Sequence, residues 1–173
     1  MNIKILVTAS SIIFPVLAMA QGPAPSNFLA LPSGDQEVPL RETNARGQAF
    51  FELTGEGEFL AYRLIVANIQ NVVAAHIHLA PAGSNGAVVA FLFGNEPAGG
   101  GRTQGVIAEG LIGSADLVGP LAGQDLAVLV ETLRTGGAYV NVHTNDGLVG
   151  VNTGPGDFAS GEIRGQIRPL GPH

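Results

Sequence analysis

The chain has 173 residues, of which 46% are hydrophobic and 13% are charged, with 25 glycines, 11 prolines and no cysteine. This length suits one domain, and the apolar content excludes a disordered acidic chain. The lack of cysteine excludes a disulfide framework and a thiolate metal site. Many glycines and prolines with few charges favour short strands joined by turns, which predicts an all-β fold.

The first twenty residues have the pattern of a secretory signal peptide. Lys4 supplies a positive start, residues 5–16 are mostly apolar, and Ala18-Met19-Ala20 is a small-residue cleavage site. A short membrane anchor is the alternative, but a spanning helix needs roughly 20 apolar residues. We therefore expect cleavage after Ala20, a secreted or periplasmic protein, and no stable membrane insertion after cleavage.

The charge that remains after cleavage narrows the choice of partners. Lys4 is the only lysine, so residues 21–173 carry seven arginines against fourteen acidic residues, a formal charge of −7. Such a chain repels phosphate polymers and anionic lipid surfaces. Nucleic acid and anionic membranes are therefore poor partners.

The rest of the chain alternates apolar stretches with turn clusters, as antiparallel sheets do. We expect a flexible lead-in over 21–26, a domain over 27–168 and a frayed tail over 169–173. Arg63 interrupts the most apolar stretch, which otherwise has the pattern of a strand covered on both faces. Glycine-rich stretches at 94–105 and 150–161 are expected to be long loops. The predicted strands are 28–31, 47–53, 59–66, 74–80, 87–93, 105–112, 138–144 and 161–167.

One segment has a helical period instead. Leu126, Leu129, Val130 and Leu133 recur at the spacing of one helix face. Glycines 136 and 137 follow as a stop signal. We predict one short helix over 122–134, laid on an antiparallel β-sandwich of Greek-key or immunoglobulin-like type.

Three histidines fall in predicted strands and are the candidate metal ligands. His76 and His78 alternate with Ile77, so they share one strand face about 7 Å apart. His143 lies in a later strand, on the same face as Tyr139 and Asn141. Three imidazoles suit copper or zinc. The alternative is that these histidines make structural hydrogen bonds to loop groups.

A second group of residues is electrostatic. Arg63 and Arg164 both lie in predicted strands, and a buried arginine needs carboxylate or carbonyl partners. Glu162 and Glu37 are the first candidates, which predicts a structural ion-pair network. The sequence contains no nucleophile motif, so no catalytic residue is assigned and an enzyme is less favoured than a binding protein.

Five motifs in order carry a family resemblance: SGDQEVP at 33–39, GQAFF at 47–51, AHIHLAPAG at 75–83, AYVNVHT at 138–144 and GEIRGQI at 161–167. Together they resemble a CHRD domain, the module repeated in chordin and found alone in many secreted microbial proteins. The resemblance covers about residues 27–168 and implies a β-sandwich-like domain. More distantly, the histidine strands resemble the copper-binding strands of Cu/Zn superoxide dismutase, which implies a copper site at His76, His78 and His143.

Three functional hypotheses follow. The first is a secreted, non-catalytic CHRD-type interaction module whose partner is an extracellular protein or glycan. The second is a copper- or zinc-binding domain with a redox role like that of superoxide dismutase, through the three histidines. The third is a structural component of a cell surface or biofilm.

Overall fold

The computed structural model describes residue 24 and residues 26–171. The expected signal peptide lies outside the described residues, as does His173. The described part of the chain contains nine strands, one α-helix and four short 3-10 helices, and no helix in it is long and apolar enough to cross a bilayer. The strands are β1 Asn27–Ala30, β2 Arg46–Thr54, β3 Phe59–Gln70, β4 Val72–Leu79, β5 Ala87–Gly94, β6 Arg102–Ile112, β7 Ala138–Thr144, β8 Ile163–Gln166 and β9 Arg168–Pro169.

The strands form two antiparallel sheets, which confirms the predicted all-β sandwich. One sheet has the order β6-β3-β2-β1-β9 and the other β5-β4-β7-β8. Alternating apolar side chains of both sheets meet in one core, as the period of two requires. Phe51 on β2, Leu64 on β3, Ile77 on β4 and Val140 on β7 are among its buried members.

The single α-helix, α1, runs over Leu126–Arg134 and begins four residues later than predicted. The side chain of Asp125 caps it by accepting a hydrogen bond from the Ala127 amide at 2.8 Å. Gly123, with a φ of +73°, ends the preceding turn in a conformation that a helix cannot contain. The predicted stripe of Leu126, Leu129, Val130 and Leu133 is buried.

Strand β3 departs from the sequence-based expectation of burial on both faces. Its buried residues alternate with accessible ones, and Arg63 lies on the accessible face. There Arg63 forms an ion pair with Glu109 on the neighbouring strand β6, not with Glu162 or Glu37. A half-exposed pair of this kind contributes little stability.

Two chain segments expected to be irregular are partly strand. β6 begins at Arg102, inside the predicted loop 94–105. β9 adds residues 168 and 169 to the sheet, where Arg168 pairs with Leu29 of β1. The Leu170 amide also donates to the Asn27 carbonyl at 2.9 Å, so the expected frayed tail is tied down as far as residue 170.

Candidate metal site

The register of two adjacent strands brings the histidines together. β4 and β7 pair antiparallel, with His76 opposite Asn141, His78 opposite Tyr139, and Ala74 opposite His143. His143 is therefore a diagonal neighbour of His76 on the face that His76 and His78 share. Ala75, Ile77, Val140 and Val142 occupy the other face and lie in the core. The predicted assignment of faces is confirmed.

The three imidazoles are close enough to share an ion. One ligand nitrogen from each ring lies within 4.8 Å of the others, and His76 Nδ1 is 3.1 Å from His143 Nε2. Nitrogens bound at about 2.1 Å to one ion are at most about 4.2 Å apart. Closing the widest gap therefore requires a shift of less than about 1 Å.

Two backbone carbonyls fix which nitrogens can bind a metal. His78 Nδ1 lies 3.0 Å from the Gly86 oxygen, and His143 Nδ1 lies 3.0 Å from the Ala159 oxygen. A carbonyl only accepts, so both Nδ1 atoms carry the proton and both Nε2 atoms keep a lone pair. The His143 Nε2 lone pair accepts a hydrogen bond from His76 Nδ1 at 3.1 Å, which a bound ion would replace. Metal-ligating histidines are oriented in the same way. His78 Nε2 is buried and has no hydrogen-bond partner within the described chain.

Burial keeps all three rings neutral. It lowers the pKa of His76 to about 4, and repulsion from His143 and His78 adds to the effect. Burial also lowers the pKa of His78 and of His143, against the opposing carbonyl hydrogen bonds. Only neutral imidazole binds a metal, so burial favours the form of each ring that can act as a ligand.

Aromatic side chains frame the rings on two sides. Tyr139 stacks on His78 with ring centroids 5.0 Å apart, and the Arg164 guanidinium lies 3.5 Å from the Tyr139 centroid. Phe91, opposite His76 on β5, meets the His76 ring edge-on at 5.0 Å. These contacts limit the rotation of His76 and His78.

The strand face that carries the histidines is covered at Asn141, which lies opposite His76 on β7 and is 2% exposed. Asn141 donates to both carboxylate oxygens of Glu37, at 3.2 and 3.3 Å. Gly161, with a φ of +124°, approaches this pair so closely that a Cβ would collide with both side chains. Burial raises the pKa of Glu37 to about 7.

The remaining members of the expected ion-pair network have uncharged partners. Arg164 donates to the Pro81 carbonyl at 2.9 Å and, at 3.4 Å, to the side chains of Asn85 and Gln166.

Glu162 accepts from the hydroxyls of Thr43 and Thr144 at 2.6 and 2.7 Å. Except for the contact between Arg164 and Gln166, these contacts join segments at least 18 residues apart in sequence, so residue spacing gave no sign of them. The same holds for the contact between Asn141 and Glu37.

Comparison of the chain with known proteins supports the family resemblance that the five motifs indicate. No curated protein and no solved structure matches the chain at a significant level. A family model described as the CHRD domain matches residues 28–167, a range that includes all three histidines. This match covers most of the 173 residues, and the chain therefore belongs to the CHRD domain family.

Proposed function

We propose that this chain is an exported, non-enzymatic CHRD module that binds one transition-metal ion through His76, His78 and His143. The observation that carries the proposal is the convergence of three neutral imidazoles, two of them oriented by backbone carbonyls. Family membership supports a non-enzymatic module of extracellular type. The signal-like residues 1–20 support export.

Imidazole donors favour copper and zinc among the common metals. Carboxylate-rich sites favour calcium and magnesium instead, and the group formed by these histidines contains no carboxylate in the part of the chain described. A reaction like that of superoxide dismutase would require copper at this same position.

His78→Ala is expected to weaken binding of Cu²⁺ and Zn²⁺ by at least about 100-fold, because it removes the Nε2 lone pair that the site keeps free of hydrogen bonds. Isothermal titration calorimetry of the metal-free protein measures this loss. His173→Ala is the matched control, since His173 is the one other histidine of the chain. Equal affinity in the wild type and in His78→Ala, with the fold intact by circular dichroism, would remove the proposed site.

A second candidate function, binding of an extracellular protein, is supported by the loop that follows β7. Leu148, Val149 and Val151 project apolar side chains into solvent, and Val149 is 98% exposed. Apolar side chains grouped in this way are typical of contact surfaces. The loop lines a cavity together with Ala159, whose carbonyl orients His143.

A photo-crosslinking residue at position 149 tests this candidate in the exporting cell. We expect a discrete protein adduct at position 149 that is absent when the same group replaces Glu131, an exposed polar side chain on α1. The same adduct pattern from both positions, or no adduct from either, would contradict a binding role for the loop.

A further inference from the structure

The donor set of the proposed site is electrically neutral. The tautomers that Gly86 and Ala159 impose leave a lone pair on the Nε2 atoms of His78 and His143, and neither ring carries charge. His76 completes the set, and the described residues add no acidic side chain to it. The ligands therefore offset none of the positive charge of an ion bound here.

A positively charged side chain, Arg164, lies on the aromatic ring that stacks on His78. Arg164, only 1% exposed, lies on the Tyr139 ring, which stacks in turn on His78. Its hydrogen bonds go to the uncharged oxygens of Pro81, Asn85 and Gln166, so no carboxylate contacts the guanidinium directly, although the charge of Glu37 acts on it from further away. Its field makes the site less favourable to each added unit of positive charge.

Two buried acids, Glu37 and Glu162, have hydrogen-bond partners of their own. Glu37 accepts hydrogen bonds from Asn141, and Glu162 accepts them from Thr43, Thr144 and the Gly156 amide. Neither carboxylate belongs to the group of ligand atoms that the three histidines form. An ion in the site therefore gains no direct anionic ligand from Glu37 or Glu162.

We propose that the site selects copper in its cuprous state, Cu⁺, over Cu²⁺ and Zn²⁺; this inference rests on the metal site proposed above. The cost of desolvating an ion rises with the square of its charge, so a divalent ion pays about four times the cost of a monovalent one. Three neutral nitrogens satisfy Cu⁺, which is stable with three ligands. Zn²⁺ takes a fourth ligand, which here would have to be water, because the histidine group supplies three.

Competition titrations on the purified metal-free protein test this selectivity. Cu⁺ is measured against bicinchoninate under nitrogen with ascorbate present, and Cu²⁺ and Zn²⁺ are measured against nitrilotriacetate. We expect one Cu⁺ per chain, bound at least about tenfold more tightly than either divalent ion, and lost in His78→Ala. Tighter binding of Cu²⁺ or Zn²⁺, also lost in His78→Ala, would overturn the selectivity while leaving the metal site standing. Binding of no metal would overturn both.

An added carboxylate tests the electrostatic cause. Phe91 is 58% exposed and adjoins His76, so its replacement leaves the core intact. Phe91→Glu is expected to lower the ratio of Cu⁺ to Cu²⁺ affinity by about tenfold relative to Phe91→Gln, which has similar size without the charge. The same ratio in both variants would overturn the argument from charge.

Discussion

Replacement of Phe51 by alanine is expected to lower the free energy of unfolding by about 3–5 kcal/mol, the range for removing a buried aromatic ring. Phe51 is 2% exposed and lies at the centre of the five-stranded sheet. It pairs with Phe28 of β1 on one side and with Tyr62 of β3 on the other. A cavity at this position removes contacts from three strands at once. Urea denaturation followed by circular dichroism measures the loss.

Phe50 provides the matched control because it is the preceding residue of the same strand and faces the other way. It is 41% exposed and lies opposite Arg63 on the accessible face. Phe50→Ala removes the same atoms but is expected to cost no more than about 1 kcal/mol. Similar losses in the two variants would mean that the two faces of β2 are not divided between core and solvent.

The period of apolar residues made most of the fold predictable. A two-residue alternation shows which face of a strand is buried without reference to any neighbour. That was enough for β2, β4 and β7, and the helical stripe on α1 was predicted in the same way. It failed for β3, where apolar residues on the accessible face gave the pattern of a fully covered strand. Arg63 was therefore expected to be buried, whereas it lies near the surface beside Glu109.

The candidate site was only partly predictable, because alternation along one strand does not show which other segments lie beside it. Alternation shows that His76 and His78 share a face, but it contains no information about which strand lies beside them. Pairing with β7 supplies His143, and that pairing spans more than sixty residues of sequence. Glu37 and Gly161 reach the same region from loops, whose paths no periodic pattern encodes. The carbonyls of Gly86 and Ala159 that orient the rings belong to such loops too.

Glu37 is expected to make the folded state less stable as the pH rises from 4.5 to 7. Burial raises the pKa of this carboxyl group from 4.5 to about 7. Between these values the unfolded chain loses the proton while the folded chain retains it, so the folded state is disfavoured as pH rises. At 1.36 kcal/mol per pKa unit, the contribution of Glu37 falls by about 3 kcal/mol from pH 4.5 to pH 7.

The buried histidines act with the opposite sign and must be separated from Glu37. The pKa of His76 is lowered from 6.5 to about 4, so the unfolded chain binds more protons in that range and stability falls as pH falls. Glu37→Gln keeps an oxygen that can accept from Asn141 and leaves the histidines in place. The difference in unfolding free energy between wild type and Glu37→Gln, measured with chelator present, isolates the carboxyl group. It should fall by about 3 kcal/mol from pH 4.5 to pH 7, and a constant difference would mean that Glu37 titrates with its ordinary pKa.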